Sequence, residues 1–199
     1  RRQRQMCIRD SQCTNDALRW LIQQNGLQLT WEVSLHADLS VEVWTLTVHA
    51  PESEKNIDIY PYFPFGYRSW MNQSAEFDAE LNGILCRSVT PYQKTADYFK
   101  QKGFKDISFL LAERTPISWD AQQHAFEGNG GLRAPHGVMQ NRLSGSVAHY
   151  ELPTAALHYQ LDLRPGETRE FRFAFGPASS TAEIESIRTA VFDPQPKLA

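Results

Sequence analysis

Cysteine is scarce in this chain, with three in 199 residues. Cys13 and Cys86 stand far apart, with no CxxC and no adjacent His pair. That argues against a structural zinc site and against a disulfide framework, and it makes a reducing cytoplasm the expected setting. No run approaches the roughly 18 apolar residues that span a bilayer. There is no basic tract, and the formal charge is −3, so neither nucleic acid nor an anionic membrane is an expected partner. His36, His49, His124, His136, His149 and His158 show no HxH or HxxxH spacing, and no metal is expected. Leu143-Ser144-Gly145-Ser146-Val147 lacks the second glycine of a nucleophile elbow. Glu127-Gly128-Asn129-Gly130-Gly131 follows no strand-to-helix pattern and is not followed by Lys-Ser/Thr. It therefore reads as a loop whose glycines permit positive φ, not as a phosphate cradle. No cofactor is expected.

Residues 1–11 hold four arginines and no apolar period. They read as translated adapter sequence, an artefact without a structural role. Setting them aside leaves 16 Lys and Arg against 22 Asp and Glu, a net charge of −6. It also implies that the natural protein starts upstream and that the chain is a fragment. The rest suffices for one domain with a real core.

What is present is mainly the period of β-strands. Leu27, Leu29, Trp31, Val33 and Leu35 alternate strictly, and Asn25-Gly26 reads as a turn from an earlier strand through Leu18, Trp20 and Ile22. Val41 and Val43 are on odd positions, Leu46 and Val48 on even ones. This phase slip predicts either a bulge or a strand buried on both faces. Ile57, Ile59, Pro61, Phe63 and Phe65 share one parity, while Pro61 and Pro64 require this strand to be an edge, bulged or broken. A turn at Asn82-Gly83 divides the strand-like stretch Glu76 to Val89. Thr90-Pro91 marks a short helix ending by Gly103. Ile107–Ala112 returns to strand, and 115–145 reads as loop-rich. Leu157 to Leu163 and Phe171 to Phe175 read as a hairpin around Arg164-Pro165-Gly166-Glu167. Ser180 to Glu183 has capping-box spacing, opening a helix with Ile184, Ile187 and Val191 on one face. About ten short strands predict a mostly β, two-sheet antiparallel sandwich over residues 12–178, with a linker helix leaving it in 179–199.

Two kinds of chemistry fit these residues. Asp58, Glu76, Asp78, Asp120 and Glu127 could supply the carboxylate pair of a glycosidase. Sugar rings pack their C–H faces on aromatics and direct hydroxyls to Asn, Gln, Asp and Arg. Trp70 with Asn72 and Gln73, and Trp119 with Asp120, match that recipe, as would a stand-alone carbohydrate-binding module. Core tryptophan and surface carboxylate explain the same residues without function.

Tyr60-Pro61-Tyr62-Phe63, Ser69-Trp70-Met71-Asn72-Gln73, Thr90-Pro91-Tyr92, Pro116 to Asp120, Phe126-Glu127-Gly128 with Gly131, Pro135, Leu163 to Glu167 and Phe175-Gly176 occur in that order. In this the chain resembles the N-terminal β-sandwich of glycoside hydrolase family 94, the inverting glycoside phosphorylases and the related cyclic β-1,2-glucan synthase module. The resemblance spans roughly residues 30–176. It implies a galactose-mutarotase-like supersandwich, then a linker helix and an (α/α)6 barrel. The barrel, absent from this sequence, carries the catalytic Asp and the phosphate site, so no catalytic residue is assigned here. Inorganic phosphate is the implied co-substrate, an oligosaccharide the substrate, and a homodimer the assembly. Arg68, Trp70, Asn72, Gln73, Trp119 and Asp120 are the expected border with substrate or barrel.

Overall fold

The computed structural model describes residues 8–66, 73–88 and 106–193. Strands dominate. β1 (Ile8–Cys13), β2 (Ala17–Gln24), β3 (Leu27–Leu35), β4 (Glu42–Ala50), β7 (Gln73–Asp78), β8 (Gly83–Ser88), β9 (Ile107–Ala112), β11 (Ala148–His149) and β13 (Glu167–Ala178) form one nine-stranded antiparallel sheet. Its order is β1-β2-β3-β4-β13-β9-β8-β7-β11. The second sheet is smaller. Its central strand β12 (Pro153–Leu163) pairs with β10 (Ser118–Gln122) on one side and with β5 (Lys55–Ile59) and β6 (Tyr62–Pro64) on the other. The expected two-sheet sandwich is present. The expected helix between Thr90 and Gly103, and Arg68, Trp70 and Asn72, lie outside the described residues.

Alternation along the strands builds the core. Leu157, Tyr159, Leu161 and Leu163 of β12 face Phe171 and Phe173 of β13 across the layers, with Val48, Ile84 and Leu110 filling in around them. The Tyr159 and Phe171 ring centroids are 4.9 Å apart. Trp31, Trp44 and Phe63 extend this aromatic packing, with centroids 5.3–5.9 Å apart. Apolar strands of this composition gain most by burying one face against another sheet.

Four sequence readings resolve at this level. Asn25 and Gly26 both have positive φ (53° and 73°), the requirement of a type I′ turn, and they join β2 to β3 in register. β4 has no bulge: its pairing with β3 and β13 is continuous. The phase slip has the other cause. Val41 and Val43 join the cluster on the far side of the large sheet, while Leu46 and Val48 face the sandwich core. The strand carrying Pro61 is broken, so β5 and β6 pair separately with β12 and Pro61 O accepts from Leu157 N at 3.0 Å. The hairpin reading of the last third is corrected. β12 and β13 belong to different sheets, and Arg164–Glu167 crosses between them. Both strands alternate cleanly because they face each other through side chains, which sequence period cannot distinguish from hydrogen-bonded pairing.

Both terminal segments contribute elements to the described structure. Ile8–Ser11, set aside as artefact, pairs with Trp20–Gln23 as the outer strand of the large sheet. An edge strand is held by main-chain bonds and needs no apolar period. The expected C-terminal helix is present as α3 (Thr181–Phe192), and it packs on the domain. Ile184, Ile187 and Val191 are buried against Leu85, Phe109, Leu111 and Ala174 on the outer face of the large sheet. Ser180 Oγ accepts from Glu183 N at 3.2 Å. The Glu183 carboxylate accepts from Ser179 N and Oγ, one residue before the reciprocal bond of a standard capping box. At the other end Arg172 donates to Val191 O and Phe192 O while pairing with Glu113 at 2.6 Å. The cation thus sits at the negative end of the helix.

Candidate functional site

The outer face of the small sheet carries the polar chemistry. On β12, Thr154, Ala156 and His158 point away from the sandwich core. A layer made of α1 (Gln123–Glu127), a 3-10 turn (Gly128–Arg133) and α2 (His136–Met139) covers part of this face. Phe126 and Leu143 pack on Ala156, with Tyr60, Tyr62 and Val138 around them. Tyr60 and Tyr62 have the opposite parity to Ile59 and Phe63, so one strand supplies the core with one set and this outer layer with the other.

Asp120 is the most constrained polar group. Its side chain is 1% exposed, and Oδ1 accepts from Ser144 N (3.0 Å), Ser144 Oγ (2.7 Å), Ser146 N (3.0 Å) and Ser146 Oγ (2.9 Å). Ala121 N donates to Ser146 O and Gly145 N to Trp119 O, both at 2.8 Å. The Ser144–Ser146 segment is therefore laid against β10 and locked there by one carboxylate oxygen. The Ser-Gly-Ser run that failed as a nucleophile elbow is the segment Asp120 holds. Trp119 faces the other way. Its ring stacks on Phe77 of β7 at 5.4 Å and 16°, closing the gap between the sheets at this edge. Both residues line an open depression of about 1010 Å³ with His136, Gln140 and Arg142.

A second network runs across three strands. Leu143 N donates to Ser118 Oγ (3.0 Å), Ser118 Oγ lies 3.1 Å from His158 Nδ1, and His158 Nε2 lies 2.8 Å from Asp58 Oδ1. The ring of His158 stacks on Tyr60 at 4.4 Å. Since a carboxylate only accepts, His158 Nε2–H donates to Asp58 Oδ1. A serine, a histidine and an aspartate in line suggest a nucleophile triad, but this serine is buried and its oxygen already bonded. The network ties β10, β12 and β5 together.

The third constellation joins two distant segments. Glu127 Oε1 accepts from Tyr62 Oη at 2.6 Å and from Gln123 Nε2 at 2.8 Å. Burial, and next the bond to Glu127, push the Tyr62 phenol up to about 12. Since the folded value lies above the unfolded one near 10, this contribution is intact below pH 10 and is lost as pH rises toward 12. Stability measured between pH 9 and 12 is expected to fall less steeply in Tyr62→Phe than in the parent chain. Identical slopes would contradict the assignment. Beside Glu127, Gln73 is 3% exposed. Its Nε2 donates to Glu151 O at 2.8 Å, and its Oε1 is buried without a partner among the described residues.

Of the six residues expected at a substrate or barrel border, the structure therefore describes three, and they do not form one cluster. Gln73 lines a cavity with Gln123, Glu127 and Tyr150, whereas Trp119 and Asp120 line the wider depression. The possible carboxylates Asp58, Asp78, Asp120 and Glu127 are each engaged by a different partner. Asp58 faces His158, Glu127 faces Tyr62, Asp120 holds its loop, and Asp78 Oδ1 accepts from Glu80 N and Leu81 N in the turn after β7. Sequence reasoning missed Tyr62, Gln123 and Tyr150. The parity of Tyr62, opposite to the buried residues beside it, was the available signal.

Nine strands on four, with a helix docked on the back of the larger sheet, define a supersandwich domain. Residues 12–194 match the glycosyl hydrolase 94 supersandwich domain, and the chain belongs to that family. A cellobionic acid phosphorylase of Neurospora crassa is 47% identical over 171 residues, covering 85% of this chain but 22% of its own length. The chain thus spans about a fifth of that relative. Among solved structures, a polysaccharide lyase superposes over 85% of this chain and 23% of its own, with TM-score 0.50 and 9% identity. A kojibiose phosphorylase from the human microbiome covers 88% of this chain and 20% of its own, with TM-score 0.46 and 10% identity.

Proposed function

We propose that this chain is the non-catalytic supersandwich domain of an inverting phosphorylase that moves a glycosyl unit from a β-linked gluco-oligosaccharide, or its aldonic-acid counterpart, to inorganic phosphate. The observation that carries this reading is the 47% identity, over 171 residues, to a cellobionic acid phosphorylase. In such a reaction a phosphate oxygen bonds to the anomeric carbon as the bond to the leaving sugar oxygen breaks, and an acid protonates that oxygen. That Asp58, Asp78, Asp120 and Glu127 each accept structural hydrogen bonds, and that the chain covers 22% of the relative, supports placing the acid elsewhere, in an (α/α)6 barrel of a longer polypeptide that pairs as a homodimer. In this reading Arg68, Trp70 and Asn72 meet the barrel or its substrate, and Asp120 holds the segment beside Trp119 in shape for that contact.

The test is to express the longer polypeptide containing this sequence and supply phosphate with cellobionate or cellobiose. The expected result is sugar 1-phosphate from at least one of them. A product that hydrolyses both equally well without phosphate would refute the reading.

A further inference from the structure

The cavity floored by Gln73 has features of a ligand site that the phosphorylase reading does not use. It encloses about 430 Å³, within the ~300–1,000 Å³ range of small-molecule sites. Its wall comes from α1 (Gln123, His124 and Glu127) and from the connection between β11 and β12 (Tyr150, Glu151 and Leu152). Gln73 is 3% exposed at the base of the cavity, and its Nε2 is held by Glu151 O at 2.8 Å. Glu127 is held from one side by Tyr62 and Gln123, both on Oε1, which among the described residues leaves Oε2 as a fixed acceptor. Tyr150 stands 69% exposed at the rim. Its backbone is in the left-handed region, φ 60°, a conformation bulky residues rarely adopt, and it is pinned there by Tyr150 N donating to Gln73 O at 3.0 Å.

We infer that this cavity binds one neutral pyranose ring of an oligosaccharide. An exposed aromatic offers a face for the sugar's C–H groups. One fixed acceptor, Glu127 Oε2, receives a donated hydroxyl, while Gln123 and His124 supply polar edges. The sign of charge selects among carbohydrates. Glu127 and Glu151 line the cavity, and among the described residues its lining contains no Lys or Arg. It therefore favours an uncharged glucosyl unit over an aldonate or a sugar phosphate, whose anionic group meets carboxylates with no fixed cation to pair it. The inference takes its choice of sugars from the phosphorylase reading. It would make this domain a holder of the neutral end of a substrate or product chain, separate from the transfer chemistry.

Titration of the folded 199-residue chain, followed by amide NMR or calorimetry, tests this with cellobiose, methyl β-glucopyranoside, gluconate and glucose 1-phosphate as probes. Saturable binding of the two neutral sugars is expected, at least fivefold tighter than that of either anion. Tyr150→Ala is expected to weaken cellobiose binding at least tenfold and Tyr150→Phe to preserve it. Because that side chain is exposed, thermal unfolding of the two variants checks that the fold is retained. No saturable binding by the folded chain, equal or tighter binding of the anions, or full affinity in Tyr150→Ala would each overturn the inference. None of these results touches the phosphorolysis assay on the longer polypeptide, so the two readings fail independently.

Discussion

Asp120→Ala is expected to lower unfolding stability by about 3–5 kcal/mol. One buried carboxylate oxygen accepts two backbone amides and two hydroxyls from Ser144 and Ser146. A hydrogen bond to a charged group contributes roughly 1.5–3 kcal/mol. The serines stand toward the surface, so water replaces part of what the carboxylate supplied and the four bonds do not add in full. Asp120→Asn keeps an acceptor oxygen but loses the charge, and about half the effect is expected. Urea unfolding at a constant m-value measures both. In addition, the amides of Ser144 and Ser146 are expected to exchange faster with solvent in the alanine variant by more than the increase that lower global stability gives those of β9 and β13. A loss below about 1 kcal/mol would mean that the loop holds its position without this carboxylate.

Phe173→Ala is the second large effect, also about 3–5 kcal/mol, the usual range for removing a buried aromatic. Phe173 is 0% exposed, with ring centroids of Phe63, Trp31 and Tyr159 at 5.8, 6.1 and 6.3 Å. These neighbours belong to three strands, one in the large sheet and two in the small one, so the cavity left behind cannot close by shifting one side chain. Phe175→Ala makes a useful comparison. Phe175 is only half-buried, stacking on Phe65 at 5.8 Å, and a loss under half as large is expected. Equal losses would place the centre of the core closer to the Phe65 end than the packing indicates.

The aromatic strand around Pro61 shows how much sequence alone conveyed. The parity of Ile57, Ile59, Phe63 and Phe65 correctly identified one buried face, and the prolines correctly demanded a break at a sheet edge. The partners of these strands were not legible. Alternation in Leu157–Leu163 and Phe171–Phe175 reported a buried face for each segment, but a strand that faces its successor and one that pairs with it alternate alike. For the same reason the docking of α3 was not legible: its apolar face was evident, whereas the sheet beneath it, made by β8, β9 and β13, is assembled from distant segments. Asp120 and Gln73 were singled out as residue types suited to sugars, but the four serine donors on one and the burial of the other depend on long-range contacts. Tyr62 and Glu127 are 65 positions apart, and nothing local joins them.

The central claim is that this supersandwich does not itself perform the transfer. Incubating the isolated, folded 199-residue chain with inorganic phosphate and either cellobiose or cellobionate, and following phosphorus NMR, tests it most directly. The expected result is no sugar 1-phosphate signal over the time in which the longer polypeptide converts the same substrate. Phosphate-dependent turnover by the isolated chain would contradict the claim and would place the catalytic acid among the carboxylates of the sandwich.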